Sequence, residues 1–176
     1  MERNVSDTSP SVQWRYLVRF AGIYVLLEAI YFALPDTFLR DVVYHDGVVV
    51  VSAAIIHWLQ PQVWVFAEAN RLQSSGVVLE VVRGCDGAGV AFLMIAAMFA
   101  FPASLHWKLF GAFAATLLVW TMNQARIVVL YFVVGYDKAW FAPIHGYIAP
   151  TLMVVVGGMF YILWLVLGQD RRRVPR

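Results

Sequence analysis

One cysteine, Cys85, stands in the 176 residues. That scarcity excludes an internal disulfide and any metal site built from several thiolates. Charge is equally sparse. Only 14% of residues are charged, against about 25% in ordinary soluble domains. From Gly87 to Tyr136 only Lys108 and Arg126 are charged, and from Gly146 to Gln169 nothing is. Such stretches exclude a water-soluble globule. The basic residues form no stripe, so the net charge of +2 implies no nucleic-acid partner. The first ten residues lack the basic, apolar and small-residue succession of a secretory signal, so the first apolar segment is expected to stay in the mature protein. Without internal repeats or domain-splitting linkers, 1–176 is expected to be a single integral membrane domain.

What is abundant is apolar surface. Hydrophobic residues make up 61% of the chain and mean hydropathy is +0.70. Five apolar segments are candidates to cross a bilayer, whose core needs about 20 apolar residues: 16–34, 42–59, 87–101, 109–134 and 147–167. Basic residues flank the set at both ends, with Arg3, Arg15 and Arg19 before it and Arg171, Arg172, Arg173 and Arg176 after it. If positive charge marks the cytoplasm at both ends, the number of crossings is even. The weakest segment is 42–59, which carries His45, Asp46, Ser52 and His57. It is expected to lie as an amphipathic helix in the outer interface. Trp14, Trp58, Trp107 and Trp140, near segment ends, read as interface anchors in contact with membrane lipids.

Between the interfacial helix and the third segment, residues 63–67 and 77–83 are rich in β-branched side chains and flank the turn-like Gln73-Ser74-Ser75-Gly76. The pattern predicts a β-hairpin with Val77, Leu79 and Val81 on one face, leading directly to Cys85. The expected fold class is therefore an all-α polytopic membrane protein: a helical bundle with an outer-face interfacial helix and a short β-hairpin before the cysteine.

Arg126 lies well inside an apolar run, where an arginine costs a few kcal/mol. With Asn123 three residues earlier on the same helical face it forms either a polar notch facing the bundle or the root of a snorkelling side chain. In Arg83-Gly84-Cys85-Asp86-Gly87-Ala88-Gly89 the glycines permit a sharp turn and leave the sulfur open. A helix starting near Asp86 favours the Cys85 thiolate at its positive end. Asp86 can cap that helix, and its charge acts on the thiol in the opposite direction. Taken alone, Cys85 also reads as a small core residue and His145 as an interfacial one. Glu28, mid-helix, is a candidate to pair with Arg126, to bind a basic group of a substrate, or to sit in a polar cavity. His45, Asp46 and His57 lack metal-ligand spacing, and no cofactor is implied. Gly157-Gly158 permits close helix packing. Under four crossings Cys85, Arg126 and His145 share one depth near the outer face: a thiol, a cation and a proton shuttle, the parts acyl transfer needs.

Cys85 followed by Asp86-Gly87, then Asn123 and Arg126 as Asn-x-x-Arg-Ile late in a membrane helix, then His145 before the last helix, resembles the exosortase/archaeosortase family over about residues 76–167. The resemblance implies a cysteine transpeptidase of the inner membrane with its active site facing outward. Its partners would be exported proteins bearing a C-terminal sorting signal, PEP-CTERM-like: a short motif, a transmembrane helix and a basic cluster. It implies Cys85 as nucleophile, Arg126 as stabilising cation and His145 as proton-transfer residue, with Asn123, Asp86, Gly84, Gly87 and Glu28 in support; the motif and the acceptor are left open. The chain has fewer membrane segments than the longest members and Asp86 where many have serine. Two other classes of function are open to the same residues: a non-enzymatic scaffold or chaperone subunit docking partner helices through Gly157-Gly158 and Arg126, and a haem or quinone subunit using His57 and His145.

Overall fold

The computed structural model describes residues 10–173, with side chains from Gln13 to Gly168. The expectations resting on 1–9 and on the arginines from Arg171 onward lie outside the described side chains. Helix α1 covers Pro10–Ala33, and α2 covers Asp36–Leu59. A small sheet follows, with β1 at Phe66–Glu68, β2 at Arg71–Ser74 and β3 at Val77–Glu80. Helix α3 is Ala88–Ala100 and α4 is Leu105–Tyr136. The last helix, α5, opens with a 3-10 turn at Lys138–Trp140, passes through a π-helical stretch at Ile144–Ile148 and continues as Ala149–Arg173.

Four of these helices are long and apolar enough to cross a membrane: Gln13–Ala33, Asp36–Leu59, Leu105–Tyr136 and Lys138–Gly168. The set differs from the expectation in membership. The 42–59 segment, read as interfacial, belongs to a helix of 24 residues, while the 87–101 segment, read as a crossing, is a helix of only 13. At 1.5 Å per residue α3 is about 20 Å long, short of a hydrocarbon core of about 30 Å. Its limits are local. Gly87 precedes it with φ of +83°, and Pro102 follows its last turn, where Lys108 Nζ donates to the Phe99 carbonyl at 2.8 Å and so places a cation at the negative end of the helix.

Helix α2 is held to α4 by polar contacts that its apolar sequence hides. The Ser52 hydroxyl donates to Gln124 Oε1 at 2.6 Å, and both residues are buried. Gln124 Nε2 and Trp120 Nε1 both donate to the Gly47 carbonyl, at 3.0 and 2.8 Å. This carbonyl lies within a π-helical stretch, Leu39–Val49. The same helix contacts the sheet along its length: His45 Nδ1 lies 2.8 Å from the Ala69 carbonyl, and His57 Nδ1 3.3 Å from that of Val63.

The sheet has three antiparallel strands in the order β1-β2-β3, one more than the hairpin expected. The additional strand, β2, is polar in sequence and has one buried side chain, Leu72. Arg71 and Glu80 are register partners across β2 and β3, with their side chains paired at 3.2 Å. The turn falls at Ser75-Gly76, with Gly76 at φ +88°. Val77 and Val81 are buried and Leu79 is partly buried against the same core, which is the face read from the sequence. Of the tryptophans read as anchors, Trp14, Trp58 and Trp140 are exposed, whereas Trp107 turns inward to stack on Trp164, with ring centroids 6.1 Å apart. Gly157 is filled by Met94 of α3, while Gly158 faces open space.

Ser52→Ala leaves the buried Gln124 carbonyl oxygen without its donor and is expected to cost about 1–3 kcal/mol. Thermal unfolding in detergent measures the loss, and an unchanged midpoint contradicts the proposed clamp.

Candidate active site

The route from sheet to sulfur is a tight turn. The Cys85 N–H donates to the Val82 carbonyl at 2.9 Å. Gly84, at φ +88°, occupies the third position of that four-residue turn, the place in a type II turn that needs positive φ. Three residues later Gly87 repeats the requirement at φ +83°, and it is also crowded: a Cβ there would lie 3.1 Å from Val119 Cγ1 and 3.5 Å from Asn123 Cβ. The two glycines foreseen around Cys85 therefore have separate duties. Gly84 turns the chain, and Gly87 lets α3 start against α4. Asp86 Oδ1 accepts the Ala88 N–H at 3.2 Å, the capping contact expected of it.

Because α3 is short, its first turn meets the Val119–Asn123 stretch of α4 and not the C-terminal end of that helix. The sulfur is thereby brought level with Arg126. Cys85 Sγ lies 3.7 Å from His145 Nε2. On the other side of the ring, Arg126 Nη2 lies 3.2 Å from His145 Nδ1 and 3.3 Å from the His145 carbonyl oxygen. The ring stacks on Phe141, 5.0 Å between centroids and 11° from parallel, within the π-helical stretch Ile144–Ile148. These contacts join three segments far apart in sequence. All three residues are half-buried.

The guanidinium fixes the tautomer. Arginine has donors and no acceptor, so in the neutral ring Nδ1 is the accepting nitrogen and Nε2 carries the hydrogen, aimed at sulfur. Arg126 thus acts on Cys85 through His145. The cleft they share with Leu79 and Glu80 of β3 and the following Val81 has a volume of about 30 Å³, room for about one small group.

The supporting residues divide. Asn123 is completely buried beside Gly87, and neither of its amide atoms has a hydrogen-bond partner; Arg126 Nε is likewise buried and unpaired. The polar notch of Asn123 and Arg126 is therefore formed and turned inward. Glu28 does not pair with Arg126. It faces Gly89 across a separate cavity of about 180 Å³, shared with Tyr31, Arg83 and Asp86, on α1, whose contacts are with α3. His57 rests on the Val63 carbonyl and the Trp64 ring, away from His145. Among the described residues no group of three or more His, Cys, Asp or Glu side chains has metal-binding geometry.

Sequence reading missed the aromatic support of this loop. The Tyr31 hydroxyl donates to Asp86 Oδ2 and lies 3.0 Å from the Tyr44 hydroxyl. Arg83 covers the Tyr31 ring at 5.2 Å, donates to the Tyr31 carbonyl at 2.9 Å and pairs with Asp36 at 2.7 Å. Tyrosines in an apolar segment look like interface residues; only their shared approach to one carboxylate distinguishes them.

Comparison with protein-family models, curated proteins and solved structures returns no match for this chain. The site's chemistry rests on its own geometry.

Alanine at Gly87 is expected to destabilise more than alanine at Gly84. Both pay about 1–2 kcal/mol for left-handed backbone, but a Cβ at 84 meets open space and one at 87 meets Val119. Paired unfolding midpoints in one detergent test the order; equal losses contradict it.

Proposed function

We propose that the chain is a membrane-embedded cysteine transpeptidase of the exosortase/archaeosortase kind, cleaving a C-terminal sorting signal of exported proteins at the outer face of the inner membrane and transferring them to a surface acceptor. The observation that carries this reading is the ordered contact Cys85–His145–Arg126, with sulfur 3.7 Å from one ring nitrogen and guanidinium 3.2 Å from the other. A nucleophile, a base and a group orienting that base are the recurrent parts of acyl transfer.

In the proposed reaction Arg126 gives up Nδ1 to the ring hydrogen and stays on the His145 carbonyl, so that Nε2, 3.7 Å from sulfur, is free to take the thiol proton and leave the thiolate. Both ring nitrogens then carry hydrogen, and Arg126 keeps its second acceptor, the carbonyl of the same histidine. Sulfur attacks the scissile carbonyl carbon, and the carbonyl oxygen takes the negative charge. Arg126, which lines the cleft and keeps an unpaired Nε–H, is the group available to answer it. Buried orphaned donors cost about 1–3 kcal/mol each, a cost that a developing oxyanion offsets. As the C–N bond breaks, the ring proton leaves with the amine. An acceptor nucleophile then displaces sulfur from the thioester.

Orientation rests on two supports. Basic residues at both ends favour a cytoplasmic location for both. An outward-facing site requires α2, which is long enough to cross, to lie in the interface instead, with the sheet beside it at His45 as the outer cap. The scaffold reading loses one of its docking elements, since Gly157 is occupied by Met94.

The expected outcome is specific. Comparison of protein C-termini in cells carrying the wild type and Cys85→Ala will show exported proteins that keep an apolar, basic-tailed C-terminus only in the variant. Arg126→Lys will lower processing about 10²-fold or more, because a point charge does not replace the planar fork. Undiminished processing by correctly inserted Cys85→Ala overturns the proposal.

A further inference from the structure

Strand β3 is an edge. It pairs with β2 on one side, and among the described residues no strand pairs with the other. The Val81 N–H donates to the Asn70 carbonyl at 2.8 Å. In an antiparallel ladder the main-chain groups of alternate residues turn to the partner, so Val77, Leu79 and Val81 face β2. The N–H and C=O groups of Val78 and Glu80 therefore point to the free side. Both residues are exposed. The strand that carries these unpaired groups forms one wall of the Cys85 cleft, with Leu79, Glu80 and Val81 opposite Phe141 and His145. At about 30 Å³ the cleft takes little more than a reacting carbonyl, so the rest of a peptide must lie along its rim.

We propose that the substrate binds as a fourth strand on the free edge of β3, its extended backbone hydrogen-bonded to the main chain of Val78 and Glu80 and its scissile carbonyl thereby led into the cleft. The inference rests on the reading of the site as peptide-cleaving. Strand addition is a recurrent way to bind extended peptides, with affinity from main-chain bonds. It accounts for a sheet otherwise left with an open edge, which proteins normally cover or block.

The test uses the full chain in detergent, where the single cysteine makes alkylation unambiguous. Acetyl-Ala-Ala-Ala chloromethyl ketone presents an extended backbone; iodoacetamide presents none. Glu80→Pro removes the outward N–H without removing a bond of the β2–β3 ladder, and edge strands tolerate proline. It is expected to slow alkylation by the peptidyl reagent about tenfold and to leave the iodoacetamide rate unchanged. Glu80→Ala loses the same contacts to Arg71 and Asn70 but keeps the N–H, so whatever the loss of its side chain from the cleft wall does to both rates, the ratio of peptidyl to iodoacetamide alkylation should stay at the wild-type value. A peptidyl reagent methylated at its amide nitrogens provides the same comparison on the unaltered protein, and should also be about tenfold slower. Equal rates for the methylated and unmethylated reagents, or an unmoved ratio in Glu80→Pro, overturn strand addition. If that happens while processing in cells still requires Cys85, the enzymatic reading stands; processing that survives Cys85→Ala ends both.

Discussion

A guanidinium in the middle of an apolar helix is the constraint from which this architecture follows. Arg126 has no carboxylate partner among the described residues, and the acceptors it reaches are neutral ones inside the protein. It finds two on one residue, the ring nitrogen and the carbonyl oxygen of His145. Both acceptors belong to the π-helical stretch Ile144–Ile148, so the cation ties α4 to the early part of α5 and orients the imidazole. The sulfur is then oriented against an imidazole that is itself already held. Removing the cation would release the ring as well as a charge.

The second determinant is length. A full crossing helix after Cys85 would carry the sulfur toward the outer end of α4. Thirteen residues do not. The short α3 starts beside Val119 and Asn123, and the left-handed glycines on either side of Cys85 and Asp86 turn the loop that leads from strand to helix. Behind the turn, Arg83, Tyr31, Tyr44 and Asp86 lock the segment to α1 and α2. The loop that presents the thiol is thus anchored from the face opposite the histidine, a condition for holding reacting groups in register.

Two apolar clusters frame the site. One, around Leu39, Val49, Ile56 and Leu72, joins the sheet to α2; the other, around Met94, Met98, Ala115 and Trp164, joins the lower parts of α3, α4 and α5. The polar layer of Gly87, Asn123 and Arg126 falls between them. Stability on both sides lets that layer keep unpaired donors, which an apolar interior tolerates only where the surroundings are rigid.

Membrane character, the apolar segments and the inward face of β3 follow from the sequence alone, because charge depletion and period-two or helical alternation are local properties. So does the shortlist of Cys85, Arg126 and His145, each a costly or reactive side chain in an apolar setting. The sequence ranked 87–101 above 42–59 as a span, whereas helix length ranks them the other way, because apolar content does not show where glycine conformation and proline stop a helix. It was silent on the Ser52–Gln124 clamp, the second strand, and the Tyr31–Asp86 support. It also offered Glu28 as a partner for Arg126 when the guanidinium binds histidine. Those are choices among partners distant along the chain, and only packing decides them. A buried polar group bonds to whichever acceptor the assembled helices bring within reach, and no pattern within a single segment encodes that distance.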